Sequence, residues 1–242
     1  MKARLLVLLP ALIALAAPPL QAQSVAQVIA KARAYLGTEA ALNAVKTIRF
    51  TGVIQVDATT RVPVEIVFQK DYQQRITVNG PKVIESTALD GYDAWQKRAN
   101  PLNLAQWQVT LLDAVQVKRL RANTWENLNF FAGLERKGGA VQLQGEVDVD
   151  GISCVTLAFI HDPDIVFQRF FDKATGRLIK TVTENGAEIR EEGEVQINGI
   201  RFPQKVINKA ANGQVTTISF DQISLNELIP ASEFAVPALP VN

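Results

Sequence analysis

The stretch "LDGYDAWQK", Leu89 to Lys97, sets two carboxylates around an aromatic pair at an Asp-Gly step. It reads as a catalytic pocket or as a β-hairpin, and the choice decides the fold. Asp-Gly supplies the left-handed backbone that tight hairpin turns require. The signal recurs at Asn79-Gly80, Gly138-Gly139, Asp150-Gly151, Thr175-Gly176, Asn185-Gly186, Asn198-Gly199 and Asn212-Gly213. Apart from one gap, these steps have the spacing of an antiparallel meander. In an extended strand Asp90 and Asp93 leave opposite faces, and so do Tyr92 and Trp95. Such carboxylates make a poor acid–base pair. The stretch turns and then pairs.

The runs between the turns agree. From Lys46 the apolar period is two: Ile48, Phe50, Gly52, Ile54 and Val56 share one face, while Arg49, Thr51, Gln55 and Asp57 mostly occupy the other. "VPVEIVFQ", "VQLQGEVDV", "ISCVTLAFI", "IVFQRFF", "RLIKTVT" and "QVTTISF" read the same way. Ahead of them Ser24 caps a helix carrying Val25, Val28, Ile29, Ala32, Tyr35 and Leu36; Gly37 ends it and Thr38 caps a short second turn. In the gap between Asn100 and Gly139, Leu104, Trp107, Leu111 and Val115 predict one amphipathic helix. Asn123 or Thr124 then caps a second with Trp125, Leu128, Phe131 and Ala132. The expected class is mainly β (α+β): an antiparallel sheet with helices packed on one face.

Met1 to Arg4 is a short basic head, Leu5 to Ala17 an apolar run, and Pro18 to Ala22 a small-residue close. That is the layout of a secretory signal peptide over residues 1–22, cut near Ala22, with one domain from 23 to 242. Of 25 Lys and Arg, Lys2 and Arg4 lie in the leader, so 23 face 24 Asp and Glu in the remainder. A near-neutral chain without a basic stripe argues against nucleic-acid binding. Cys154 is the only cysteine and is expected as a small buried apolar group.

Chemistry is scarce. His161, the only histidine, stands in "FIHDPDIV" and reads as part of a polar turn between apolar strands. One His and one Cys do not build a typical structural zinc site. Gly-x-Ser-x-Gly, P-loop and dinucleotide motifs are missing. Glu191-Glu192 reads as a solvated strand face. Neither catalytic residue, metal nor cofactor is assigned. A meander closed by helices can instead leave an apolar cleft for a small ligand.

The order "VKTIRFTGVI", "VFQKDYQQRI", "LDGYDAWQKRANP", a helical insert, "FFDKATGRLIK" and "FDQISLNELIPASEFAVP" resembles the LolA/LolB-like periplasmic lipoprotein-carrier superfamily over nearly all the chain after the leader. The resemblance implies an incomplete β-barrel whose helices cover the concave face and enclose acyl chains. Family carriers place an Arg before the "DG…W" hairpin. Here the stretch reads Lys70-Asp71 with Arg75 further on, a departure that points to a relative handling another lipid. The expected lining is Phe50, Ile54, Ile66 and Phe68 from the sheet with Trp107, Leu111 and Val115 from the lid; a one-residue register shift would reverse the strand faces. The implied role is a periplasmic, non-catalytic carrier or sensor of a lipid or acylated ligand, with peripheral membrane contact and an envelope protein as further partners. The competing reading is an envelope adaptor using a sheet edge or the tail "LIPASEFAVPALPVN"; a hydrolase built on His161 comes last.

Overall fold

The structure, a computed structural model, describes residues 23–238 except 56 and 58. The leader expected at 1–22 lies outside the described residues. Helix α1 (Val25–Leu36) starts where expected: Ser24 Oγ accepts from Gln27 N at 3.3 Å, and Ser24 N donates to Gln27 Oε1 at 2.8 Å. This reciprocal pair is a capping box. Thr38 caps α2 (Glu39–Ala44) by accepting from Ala41 N.

Six strands then run as a meander: β1 (Thr47–Gln55), β2 (Arg61–Gln69), β3 (Gln73–Asn79), β4 (Ile84–Asp90), β5 (Asp93–Asn100) and β6 (Asn103–Leu111). Helix α3 (Ala114–Asn129) follows. A second series comprises β7 (Ala140–Val149), β8 (Ile152–Asp162), β9 (Ile165–Asp172), β10 (Leu178–Thr183), β11 (Glu188–Glu192), the hairpin β12 (Val195–Ile197) and β13 (Ile200–Phe202), β14 (Lys205–Lys209) and β15 (Val215–Leu225). One antiparallel sheet of 13 strands results, in the order β6-β5-β4-β3-β2-β1-β15-β14-β11-β10-β9-β8-β7. The last strand joins the two series by pairing with β1, and the sheet stays open at β6 and β7. The curved antiparallel architecture read from the sequence is the one observed. Asp90 pairs with Asp93 across the hairpin of the opening stretch, and Gly91 takes φ 64° there. The two carboxylates, expected on opposite faces, therefore share one face, because the turn lies between them and folds the strand back. Asp150-Gly151 and Asn198-Gly199 are left-handed at both positions, as a type I′ turn demands.

The interval after Asn100 departs from expectation. Leu104, Trp107 and Leu111 belong to edge strand β6, and one helix replaces two. Leu104, Trp107 and Leu111 have helical spacing, but Trp107, Val109 and Leu111 also alternate with Gln106, Gln108 and Thr110, and pairing with β5 decides for the strand. Asp113, accepting from Gln116 N at 2.8 Å, caps α3. Asn123 and Thr124 lie inside the helix and donate to Gln74 Oε1 on β3 at 3.0 and 3.1 Å. Their side chains dock the helix rather than start it.

Pairing defines two faces. Phe50 stands opposite Ile66, and Ile66 opposite Ile76; this concave row meets the helices. The convex face carries Arg49, Glu65 and Arg75. Here the C-terminal segment is strapped down: Ile229 and Phe234 bury against Val67, and Trp95 Nε1 donates to Phe234 O at 2.8 Å. Arg49 Nε meets Glu227 at 2.8 Å, Arg75 Nη2 meets Glu65 at 2.5 Å and Glu233 at 2.9 Å, and Arg49 also pairs with Glu65. Arg75 is therefore a convex-face residue rather than part of the cleft. Of the tail offered to an adaptor, Ile229 and Phe234 are bound to the chain's own sheet.

The β1–β15 register shifts between Thr51 and Gly52. A Cβ on Gly52 would collide with the Ser219 carbonyl oxygen and lie 2.9 Å from Phe220 Cα. Gly52→Ala should therefore lower the unfolding free energy by about 1–3 kcal/mol, measured by urea denaturation. An unchanged midpoint would show that the seam between the two strand series tolerates a side chain.

Candidate ligand cavity

Helix α3 crosses the concave side without filling it. A cavity of about 760 Å³ remains beneath it. Its floor is apolar: Ile48, Phe50, Ile66, Phe68 and Ile76 from β1–β3, Val206, Ile218 and Phe220 from β14 and β15, and Phe167, Leu178 and Ile189 from β9–β11. Its roof is Tyr35 and Leu36 at the end of α1, Asn123, Glu126 and Asn127 on α3, Phe130 and Phe131 just beyond, and the β12–β13 hairpin through Glu194, Arg201 and Phe202. Left-handed backbone at Phe130 and Phe131 ends α3 and turns both rings back under it.

Of the seven expected lining residues, Phe50, Ile66 and Phe68 line this space. Ile54 shares their face and packs against the adjoining apolar cluster. Trp107, Leu111 and Val115 do not reach it. Trp107 sits on the edge strand under Lys97 Nζ, 4.6 Å from its ring centroid. Leu111 and Val115, at the end of that strand and the start of α3, are 68% and 63% exposed. Trp107 and Leu111 belong to strand β6 and Val115 opens α3 with its side chain exposed, so the lid face expected from a single helix does not exist.

What the sequence reading missed is polar. On β8 the stripe Val155, Leu157, Phe159 ends in His161, and on β9 the stripe Ile165, Phe167, Arg169, Phe171 holds an arginine among apolar groups. A charged residue in register with a buried stripe is a signal visible in the sequence. Glu126 of α3 meets both strands: its Oε1 lies 2.5 Å from His161 Nε2 and its Oε2 2.6 Å from Arg169 Nη2. All three side chains are nearly sealed, at 3%, 10% and 9% exposure for Glu126, His161 and Arg169. The Trp125 and Phe167 rings stand edge-on to the imidazole at 5.4 and 5.6 Å, and the guanidinium lies 4.8 and 5.1 Å from the Phe131 and Phe159 ring centroids. His161 thus has partners that a turn residue would lack.

Other pairs fix α3 from both sides. Lys118 Nζ meets Asp162 at 2.7 Å, and Arg119 pairs with Glu184. Opposite, Arg121 lies between the rings of Tyr72 and Tyr92, 3.9 Å from each centroid, and donates to Gly91 O.

Glu191 and Glu192, expected on a solvated face, are exposed and border the cavity. Glu191 has accessible area because the cavity is roomy, yet protein surrounds it. That enclosure raises its carboxyl above the usual range, with the Arg169 charge pulling the other way. At the rim Tyr35 donates to Glu194, and burial pushes its phenol up. Arg190 bridges Glu188 at 2.6 Å and Asp150 at 2.7 Å. Among the described residues no group of three or more His, Cys, Asp or Glu is arranged to hold a metal ion. No described helix is long and apolar enough to cross a membrane.

The overall fold recurs in solved structures. A LolA superfamily protein from Nitrosomonas europaea superposes with a TM-score of 0.56 at 13% identity, over 87% of this chain and 97% of that one. The chain has the LolA-like fold. A DUF1329 family protein from Desulfovibrio piger matches with a TM-score of 0.56 at 12% identity, covering 89% of this chain and 99% of the other. A domain from Vibrio parahaemolyticus assigned to outer membrane lipoprotein sorting matches at 0.54 and 10% identity, over 86% and 94%. No family model and no curated protein matches the sequence. At such identities the likeness is one of LolA-like architecture.

Two measurements probe the cluster and the cavity. Glu126→Ala leaves Arg169 and His161 facing each other without their shared anion and should cost about 3–5 kcal/mol in urea denaturation. A loss below 1 kcal/mol would mean that the cluster does not hold the lid. Glu191, with its folded-state value raised, contributes full stability in acid and loses it as pH rises through that value. Glu191→Gln should flatten this slope, read as melting temperature against pH; an unchanged slope would place the carboxyl in water.

Proposed function

We propose that the chain is a non-catalytic carrier or sensor that holds an acyl chain in the cavity beneath α3, and that it works in the periplasm after removal of residues 1–22 as a single domain. The observation that carries this reading is the volume and continuity of the apolar floor. The 760 Å³ space falls within the range of small-molecule sites, and Phe50, Ile66, Ile76, Ile218 and Phe220 present one apolar surface to it. A natively packed core leaves few voids, so an opening of this size forgoes contacts that the fold would otherwise use. The assignment of the Vibrio parahaemolyticus relative to lipoprotein sorting supports an acylated ligand, and an envelope protein or membrane surface as its source or destination. The adaptor reading draws no support from the tail's apolar residues Ile229 and Phe234, which are already buried on the convex face.

A neutral probe tests the reading. Fluorescent acyl methyl esters of increasing length should bind saturably. Each added CH₂ should lower Kd about fourfold until the cavity is full, the increment expected for about 0.8 kcal/mol per buried methylene. Ile76→Trp fills the floor and should shorten the longest chain accepted. Affinity that is independent of length, or non-saturable, would rule out a chain-holding cavity.

A further inference from the structure

The cavity is not uniformly apolar. Its one end is a phenylalanine and isoleucine floor, and toward β9 its wall contains Arg169, whose side chain is 9% exposed. No described protein group accepts a hydrogen bond from Arg169 Nε or Nη1. Glu126, its only ion-pair partner among the described residues, also serves His161. The rings of Phe131 and Phe159 stand against the guanidinium and offer weaker compensation than an acceptor does. A buried guanidinium with unused donors beside an open apolar space is costly for a protein that carries only hydrocarbon. It is suited to an amphipathic ligand with an anionic end.

We propose that Arg169 anchors the carboxylate of a long-chain carboxylate whose hydrocarbon lies along the Phe50–Ile66–Ile76 floor. The proposal rests on the acyl-chain reading and names the polar end of the same ligand. The planar fork of the guanidinium matches a carboxylate in two parallel hydrogen bonds. One guanidinium, already shared with Glu126, suits a single negative charge better than the two of a phosphate monoester.

The experiment compares a fluorescent fatty acid with its methyl ester, equal in chain and label, in neutral buffer below their aggregation concentrations. Ester binding reports on the acyl-chain reading; the ratio of the two dissociation constants reports on the anchor, and as a ratio within one protein it cancels a change in folded fraction. Wild type should prefer the carboxylate by roughly tenfold or more. Arg169→Gln should bring the ratio close to one, and Arg169→Lys should keep a preference of intermediate size. Equal affinities in wild type, or a preference that survives Arg169→Gln, overturns the anchor while leaving the carrier standing. Failure of both probes to bind overturns both.

Discussion

An open sheet has two ends that nothing in its hydrogen bonding draws together, and α3 is the piece that spans them. One side of the helix is pinned to β3 through Gln74 and to the β4–β5 turn through Arg121. The other side reaches β8 and β9 through Glu126 and Lys118. Exposed pairs such as Lys118–Asp162 contribute little. Glu126 matters more because its carboxylate is sealed, and a sealed charge is tolerated only while both partners stay in place. The position of the lid, and with it the volume beneath, therefore depends on one carboxylate shared between two strands.

The meander was legible because its turns are local. An Asn-Gly or Asp-Gly step needs a left-handed backbone whatever surrounds it, and the strand faces followed once Phe50, Ile66 and Phe68 were set in phase. The β6 region was not legible. Leu104, Trp107, Leu111 and Val115 satisfy a helical period, and only the partnership with β5, a tertiary fact, makes most of them a strand. The cap at Asp113 and the lateral use of Asn123 and Thr124 were likewise settled by what lay opposite. The polar cluster was half legible: Arg169 and His161 continue apolar stripes, which period-two reading exposes, but Glu126 joins them only through the path of α3.

The floor and the cluster set different demands. Leaving 760 Å³ open forfeits dispersion contacts on one side of every lining residue. Stability has to come from elsewhere, and the convex face supplies it. Val67, Ile229 and Phe234 form a sealed patch there, and Arg49, Glu65, Arg75, Glu227 and Glu233 form a linked network in place of isolated pairs. The C-terminal strap thus braces the sheet behind the strands whose front is left unfilled.

This division has a consequence for motion. Elements with few sealed contacts open at the lowest free-energy cost. Near the N-terminal end of α3, Val115 and the Lys118 pair are exposed and Val117 alone is sealed, against Leu89 and Ala94, whereas Trp125, Leu128 and Glu126 are buried near its C-terminal end. A hinge at the C-terminal end and release at the N-terminal end is the least costly way to uncover the cavity. Such a movement would break Lys118–Asp162 and Arg119–Glu184 first, and reach Glu126 only when the opening is wide. The sheet, braced from behind, need not deform. Access to the cavity then becomes a property of one helix and its two rows of contacts, while the 13 strands act as a fixed wall.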